Sequence, residues 1–259
     1  MNIVACYKVV PEGQDIITRP DGTLDFSRAV SVLGEYDLCA IEEGVRLAQA
    51  SGEGSKVCLL SAGAPAIDES KLVKAALSRG PEELCLVLDD RIGAFDAYQT
   101  ACTLAAALQQ TGYDLVLCGE GSSDLYGQQV GSLLGQILGV PTVNAVSNIT
   151  LQGATLLVER SLETEVEVLE LTLPAVLSVT SDINQPRVPQ LKDILAAGKK
   201  PVTRLYWEDL SFDSETGPAD ALEVCSTLAP TNVDRKQIVF EDASEASIKG
   251  FVAALRKEL

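Results

Sequence analysis

The chain has 259 residues, of which 46% are hydrophobic, and 20 Lys and Arg stand against 37 Asp and Glu for a formal charge of −17. A surface this acidic repels phosphate backbones and anionic lipid headgroups, which excludes nucleic acid and membrane surfaces as general partners; the length allows one large α/β unit with or without an appendage. There is no histidine, so the usual general base near neutral pH, the commonest metal ligand and every Ser-His or Cys-His nucleophile pair are missing.

The seven cysteines (Cys6, Cys39, Cys58, Cys85, Cys102, Cys118 and Cys225) are scattered, mostly in apolar runs such as Val57-Cys58-Leu59-Leu60, with no CxxC spacing. They read as small buried hydrophobes in a reducing compartment rather than as iron-sulfur or zinc ligands. Met1 to Ala5 runs straight into a strand-like segment without the basic and apolar regions of a signal peptide, and no apolar run is long enough to span a bilayer. The expectation is a cytoplasmic protein with no direct membrane insertion.

Short apolar runs alternate with helical patterns up to about residue 140, the signature of a parallel sheet wrapped by helices. Ile3 to Val10 reads as the first strand. Leu38, Ile41, Val45 and Ala48 then recur at helical spacing between Glu42, Glu43 and Arg46, which predicts an amphipathic helix beginning near Asp37 as its cap. Val57 to Leu60 is the second strand. A helix with the stripe Val73, Ala76 and Leu77 stops at Gly80-Pro81. Leu84 to Leu88 is the third strand, Ala97 to Leu108 a further helix ended near Gly112, and Leu115 to Cys118 the fourth strand.

The segment Gly119-Glu120-Gly121-Ser122-Ser123-Asp124-Leu125-Tyr126-Gly127-Gln128-Gln129-Val130-Gly131 carries the strongest local signal. A strand ends, a small polar loop follows, and a helix begins whose stripe is Val130, Leu133, Leu134, Ile137 and Leu138. Such a helix start offers free N–H groups and a positive dipole end to an anion. Gly127, Gly131 and Gly135 fall four apart, on one helix face, which serves either close packing on the sheet or a phosphate; neither a P-loop lysine nor a full GxGxxG is present.

Past Pro141 the period changes to two, in Thr155 to Arg160 and in Glu165 to Val168, whose alternation slips at Leu169 as at a bulge or bend. These strands either extend the first sheet or form a small second layer. Leu173 to Val179 reads as a buried strand, Ser181 to Arg187 as a turn-rich, partly exposed loop, and Leu191, Ile194 and Leu195 as a short helix running into Gly198-Lys199-Lys200-Pro201. That basic cluster is either an ordinary helix end or part of a docking surface. Residues from about Trp207 form a tail, polar from Asp209 to Pro218, with a last helix from Ser244 to Leu259 that packs on a partner chain or on its own domain.

In an open parallel sheet, ligands bind beyond the carboxyl ends of the strands where the strand order reverses. An order of 3-2-1-4 puts that point between strands one and four. Cys6 and Tyr7 then face the loop Gly119 to Val130, Ser61 to Ala64 forms a small-residue edge, and Glu35-Tyr36-Asp37 closes the far side. Small residues suit a flat adenine, and the helix start near Val130 suits its phosphate. Tyr36 or Tyr126 either stacks on a base or buries a satisfied hydroxyl. Glu120 and Asp124 form either an acid-base pair or, as favoured here, partners for ligand hydroxyls and helix amides, since no nucleophile or metal accompanies them.

With these residues in view, the chain resembles the beta subunit of electron transfer flavoprotein, in the branch associated with nitrogen-fixation and carnitine-type operons. The resemblance rests on Tyr7-Lys8-Val9-Val10-Pro11, Glu35 to Glu42, Leu77-Ser78-Arg79-Gly80-Pro81, Gly119 to Gly131, Leu173 to Val176 and Asn184-Gln185-Pro186-Arg187, in order across roughly residues 1 to 207. It implies an adenine nucleotide alpha hydrolase-like α/β fold over residues 1–205, an open and mostly parallel sheet with helices on both faces and added strands, followed by a C-terminal linker and helix over 206–259 that packs on the partner subunit.

It also implies a heterodimer with an alpha subunit that carries the redox-active FAD, and AMP or a second FAD in this subunit. Electrons would pass from an acyl-CoA-type or other flavin dehydrogenase to a quinone oxidoreductase or low-potential acceptor, the chain having no substrate chemistry of its own. By position, the implied nucleotide contacts are Cys6, Gly34, Glu35, Tyr36, Asp37, Ala62, Gly119, Glu120, Gly121, Ser122, Ser123, Asp124, Gly127, Gln128, Gln129 and Val130. The implied docking residues are Asn184, Pro186, Arg187 and the apolar anchor Leu191. Better known members carry Asn-Pro at Gly34-Glu35 and Thr at Val130, so here backbone N–H groups are left to hold the phosphate. The alternative to a carrier subunit is a stand-alone adenine-nucleotide-binding module of the stress-protein type, which usually stops near residue 150; a nucleotide hydrolase would have only Glu120 and Asp124 to work with.

Overall fold

The computed structural model describes residues 1–259 except 154, 213–216, 220, 221, 223, 231–235 and 259. They fall into two compact units: one of Met1–Ile17 with Asp25–Ser226, the other of Thr18–Leu24 with Thr227–Leu259. The elements follow as β1 (Asn2–Cys6), β2 (Val9–Pro11), β3 (Ile17–Thr18), β4 (Leu24–Asp25), β5 (Ser31–Leu33), α1 (Glu35–Ala50), β6 (Lys56–Gly63), α2 (Ser70–Leu77), β7 (Glu83–Leu88), α3 (Ala97–Thr111) and β8 (Leu115–Gly119). Then come α4 (Val130–Leu138), β9 (Thr142–Gln152), β10 (Thr155–Ser161), β11 (Val166–Thr172), β12 (Ala175–Val179), α5 (Leu191–Ala197), β13 (Val202–Tyr206) and α6 (Glu245–Leu255).

The first unit is an open α/β sheet of nine strands ordered β11-β10-β9-β12-β8-β1-β6-β7-β13. All neighbouring pairs are parallel except β9–β10 and β10–β11. The central strands are continuous apolar runs because both faces are covered: β12 is buried at every position and β8 at all but its last. On one face Ile41, Val45, Leu72 and Leu77 of α1 and α2 pack on Ile3, Leu59, Leu86 and Leu117. On the other, Ala101, Leu104, Leu108 and Leu134 of α3 and α4 pack on Val4, Leu60, Val87 and Val116.

Several local expectations change. The first strand ends at Cys6, with the Tyr7 amide still donating to the Leu60 carbonyl at 3.0 Å; from Lys8, whose backbone bonds to Asp37 and Gly34 at the start of α1, the chain turns away and Val9–Pro11 pairs antiparallel with β5. Helix α1 starts at Glu35 with Gly34 as its cap, and Asp37 is buried in the first turn instead of capping it. The strands past Pro141 extend the main sheet through β9, a strand whose period is broken by Ala145 at φ 55. No register shift falls at Leu169; the irregularity is between Glu159 and Arg160 in the β9–β10 pair. The tail expected from Trp207 begins later. Strand β13 pairs with β7, and Trp207 packs on Phe95 and Phe212 at ring separations of 5.6 and 4.6 Å, with the Arg91 guanidinium 4.4 Å from its ring centre.

In the second unit, Thr23 bridges Leu228 and α6 is capped by the Ser244 hydroxyl, which accepts the Ser247 amide at 3.3 Å. Phe240 meets Phe251 edge to face, with ring centres 5.6 Å apart. Leu259, the expected last residue of this helix, and residues 213–216 of the polar stretch lie outside the described residues.

Candidate functional site

The chain runs from β1 outward to β6 and β7, then returns across the sheet to β8 on the other side of β1. The order is therefore 3-2-1-4, and the switch point lies between the carboxyl ends of β1 and β8, where open α/β sheets receive their ligands in a crevice. Cys6 ends β1 and is buried, with Cys118 beside it on β8; that neighbouring thiol and burial push the Cys6 thiol well up, so it is an inert floor. Ala62 sits half-buried near the end of β6.

Asp37 organises the crevice. Its Oδ2 accepts the Lys8 amide at 2.7 Å and its Oδ1 the Gly119 amide at 3.2 Å, while the Gly34 amide donates to the Lys8 carbonyl at 2.9 Å. One carboxylate thus ties together the ends of β1 and β8 and the start of α1. Two glycines make room for it: a Cβ on Gly34 would lie 2.7 Å from Asp37 Oδ2, and one on Gly119 would lie 2.6 Å from Oδ1 and 2.8 Å from the Tyr36 backbone. Burial pushes the Asp37 carboxyl up to about 7 against the pull of the two amides. Both carboxylate oxygens accept amides of the protein itself, so Asp37 supports the walls of the site.

Above this floor the loop from Glu120 to Gln129 stands largely exposed. The Glu120 amide donates to the Val179 carbonyl at 2.9 Å, and the Tyr126 amide closes a turn on the Ser122 carbonyl, also at 2.9 Å. Tyr126 and Gln128 have φ of 46 and 54°, a left-handed backbone that non-glycine residues adopt at some cost and that clusters at functional sites. The Tyr126 ring lies over Gly121, where a Cβ would come within 2.5 Å, and stands 5.2 Å from the ring of Tyr36, which flanks the same space from α1. The two tyrosines meet each other at the crevice wall. Burial and then Glu120 push the Tyr126 hydroxyl up to about 12.

Helix α4 begins at Val130 with no side chain capping it at Gln129, so its first amides face the loop without a protein side-chain acceptor. Gly127 has open space where a Cβ would be, whereas Gly131 and Gly135 are packed: a Cβ would fall 2.0 Å from Ser178 Oγ and 1.7 Å from Thr142 Oγ1. The three glycines therefore divide. Gly127 lies ahead of the helix at the open loop, and the other two bring α4 close to β12 and β9.

Sequence reasoning missed Lys8. Its Nζ donates to Asp124 Oδ2 at 2.5 Å, across the crevice mouth, and Asp124 also accepts the Leu125 amide at 2.9 Å. Burial is the largest influence and works against ionisation of Asp124, but the bonds from Lys8, Ser122 and the Leu125 amide together hold the carboxyl below its usual range. Ser122, Ser123 and Asp124 thus shape a turn beside a cation. Lys8 was hidden inside an expected strand, and a charged residue directly after the apolar run ending at Tyr7 was the available signal.

The residues expected to dock a partner separate into two groups. Asn184 is buried, its Nδ2 donating to the Cys39 carbonyl at 3.1 Å and Glu43 Oε2 at 3.0 Å. Arg187 donates from Nε and Nη2 to the two oxygens of Glu42 at 2.6 and 3.1 Å. These two pin the loop to α1, and Pro186 between them is half-buried. Leu191 is 73% exposed at the start of α5. Burial opposes the Glu42 charge, and the bonds from Arg187 and Arg46 hold its carboxyl down all the same, whereas burial pushes Glu43 up. The Glu42-Glu43 pair, which spacing assigns to the polar face of α1, is the buried anchor of this loop.

Among the described residues no group of His, Cys, Asp and Glu could hold a metal ion, and no helix is long and apolar enough to cross a membrane. The site has backbone amides, one lysine and small residues at a switch point, as in α/β proteins that receive an anionic ligand at the ends of their strands. A family model described as the electron transfer flavoprotein domain matches residues 21–209, well over half of the chain. The chain belongs to that family, whose members bind flavin and work with dehydrogenases and with each other's subunits.

Proposed function

We propose that the chain is the beta subunit of a heterodimeric electron transfer flavoprotein, in the branch of the nitrogen-fixation and carnitine operons. It braces the alpha subunit that carries the redox-active FAD, holds AMP or a second FAD in its own crevice, and presents the α5 region to a donor dehydrogenase; electrons leave for a quinone oxidoreductase or low-potential acceptor. The crevice carries this reading: the uncapped α4 amides and the open backbone at Gly127 follow β8 at the switch point, and the Lys8 ammonium after β1 reaches Asp124 of the same loop.

These residues fit an adenine nucleotide in a specific way. Val130 offers no hydroxyl, so a phosphate would be held by the amides at the α4 start and by Lys8, while Tyr36 and Tyr126 flank the space for the ring. Bound FAD supplies the electron carriage; the chain supplies position and charge balance and acts as no enzyme, its sequence holding no histidine for proton transfer to a substrate. Co-expression with the electron transfer flavoprotein alpha subunit encoded next to it tests this. The expected result is a stable yellow pair, with the chain alone colourless or weakly coloured. Failure to form a complex with any adjacent alpha subunit would refute the reading.

A further inference from the structure

A cavity of about 210 Å³ lies between α2, the end of α5 and β13, the outer strand of the sheet three places from β1, and its polar lining is Asp68, Ser70, Lys74, Lys200 and Arg204. Three cations thus face one carboxylate. That surplus of two positive charges stands in a chain whose formal charge is −17.

The protein does not neutralise the surplus. Arg204 takes Asp68 at two points, Nε to Oδ2 at 2.6 Å and Nη2 to Oδ1 at 2.8 Å, which engages the single carboxylate of the lining. Lys200 donates from Nζ to the carbonyls of Leu77 at 2.8 Å and Pro81 at 2.5 Å, so its ammonium is fixed in place with one of three hydrogens left over. Burial pulls that ammonium below its ordinary range, although Glu82 and Asp193 act the other way; those two carboxylates accept the amides of Val57 and Gln190. Lys74 meets no carboxylate at bonding distance among the described residues. Its stem runs beside the end of α5, where a Cβ on Gly198 would lie 3.4 Å from Lys74 Cε.

The size and charge of the cavity select a ligand. About 210 Å³ holds roughly seven waters at about 30 Å³ each, which is room for a phosphate or a short dicarboxylate and too little for a nucleotide. Lysine ammonium groups act as point charges with rotatable donors and suit such oxyanions, and a ligand with one negative charge would match only half of the surplus. We propose that this cavity binds a small dianionic oxyanion, a phosphate group or a short dicarboxylate, between the Lys74 and Lys200 ammonium groups and the Ser70 hydroxyl, and that the bound anion ties α5 to α2. The site is separate from the nucleotide crevice and does not rest on the function given above.

The probes are inorganic phosphate, succinate and acetate, titrated by calorimetry into the full chain at low salt and about pH 8, where phosphate is a dianion, with excess AMP present to occupy the crevice. Phosphate or succinate is expected to bind at least about tenfold tighter than acetate, and the tighter of the two names the source of the dianion. Lys74→Gln should weaken that binding about tenfold. Asp68→Asn removes the competing carboxylate and frees Arg204, so it should tighten binding about tenfold, a gain that a damaged fold does not produce. Lys236→Gln, outside the cavity, should titrate like the parent, and matching melts without anion establish that the variants fold. The bound dianion should slow amide exchange over Leu191–Ala197. No binding of either dianion, acetate binding as tightly, Lys74→Gln and Asp68→Asn titrating like the parent, or unchanged exchange over α5 would each overturn the proposal. Lys74 and Asp68 lie outside the crevice, so this failure is distinct from failure of the functional reading.

Discussion

The side chain of Asp37 and the backbone amide of Gly119, 82 residues apart in sequence, are joined by a 3.2 Å hydrogen bond that closes the floor of the crevice. Because the folded carboxyl is pushed up to about 7 and an unfolded one titrates near 4, the folded state binds the extra proton between those values. Its contribution to stability is fully present below about pH 4 and is lost as pH rises through 7, with a slope of at most about 1.4 kcal/mol per pH unit. Asp37→Asn is expected to be less stable than the parent at pH 5, since the amide cannot accept both N–H groups, and to close that gap by pH 8. Urea unfolding across this range reads the crossing slopes; parallel slopes would refute the ionisation of Asp37 as their cause.

Glu42→Ala removes the carboxylate that receives both Arg187 nitrogens and leaves a half-buried guanidinium without its partner. The expected loss is about 1–3 kcal/mol in urea unfolding, the usual cost of a stranded polar group. Amide exchange over Ile183 to Val188 should accelerate while β8 stays protected. Unchanged exchange in that loop would mean that Asn184 alone holds it.

The glycines of the Gly127, Gly131, Gly135 series should respond unequally to alanine. At Gly135 the new methyl meets Thr142, whose hydroxyl is held by the Val140 carbonyl at 3.0 Å, so strain of about 1–3 kcal/mol is expected. Gly127→Ala meets open space and should melt with the parent. Thermal denaturation of the two variants separates them.

Lys8→Met breaks an exposed ion pair that is worth about 0–1 kcal/mol, so stability should barely change. Affinity for AMP, measured by calorimetry on nucleotide-stripped protein, should fall about tenfold and lose part of its salt dependence. An affinity equal to that of the parent would leave the α4 amides as the phosphate's sole support.

The four strands β1, β6, β7 and β8 and the helices between them were legible in the sequence because parallel strands buried on two faces write themselves as apolar runs, as at Leu115 to Cys118, and α3 shows its stripe and its Gly112 stop; their order 3-2-1-4 entered as a premise. The crevice could be placed from that order alone. What stayed hidden was tertiary. Nothing local marks Asp37 as a clamp for Gly119, Glu42 and Glu43 as a buried anchor rather than a wet helix face, or Lys8 as the cation opposite Asp124; each depends on a partner far along the chain. Strand β9 was missed because Ala145 breaks the period that would have revealed it, and β13 because its alternating edge pattern is short.

The central claim is that the crevice between β1 and β8 holds an adenine nucleotide of its own. Mass-spectrometric identification and counting of the nucleotides released from the purified pair of this chain with its alpha subunit tests it most directly. The account predicts two nucleotides per pair, one FAD with one AMP for a simple carrier or two FAD for the loading of an electron-bifurcating protein. A single FAD per pair, with no second adenine nucleotide, would contradict it.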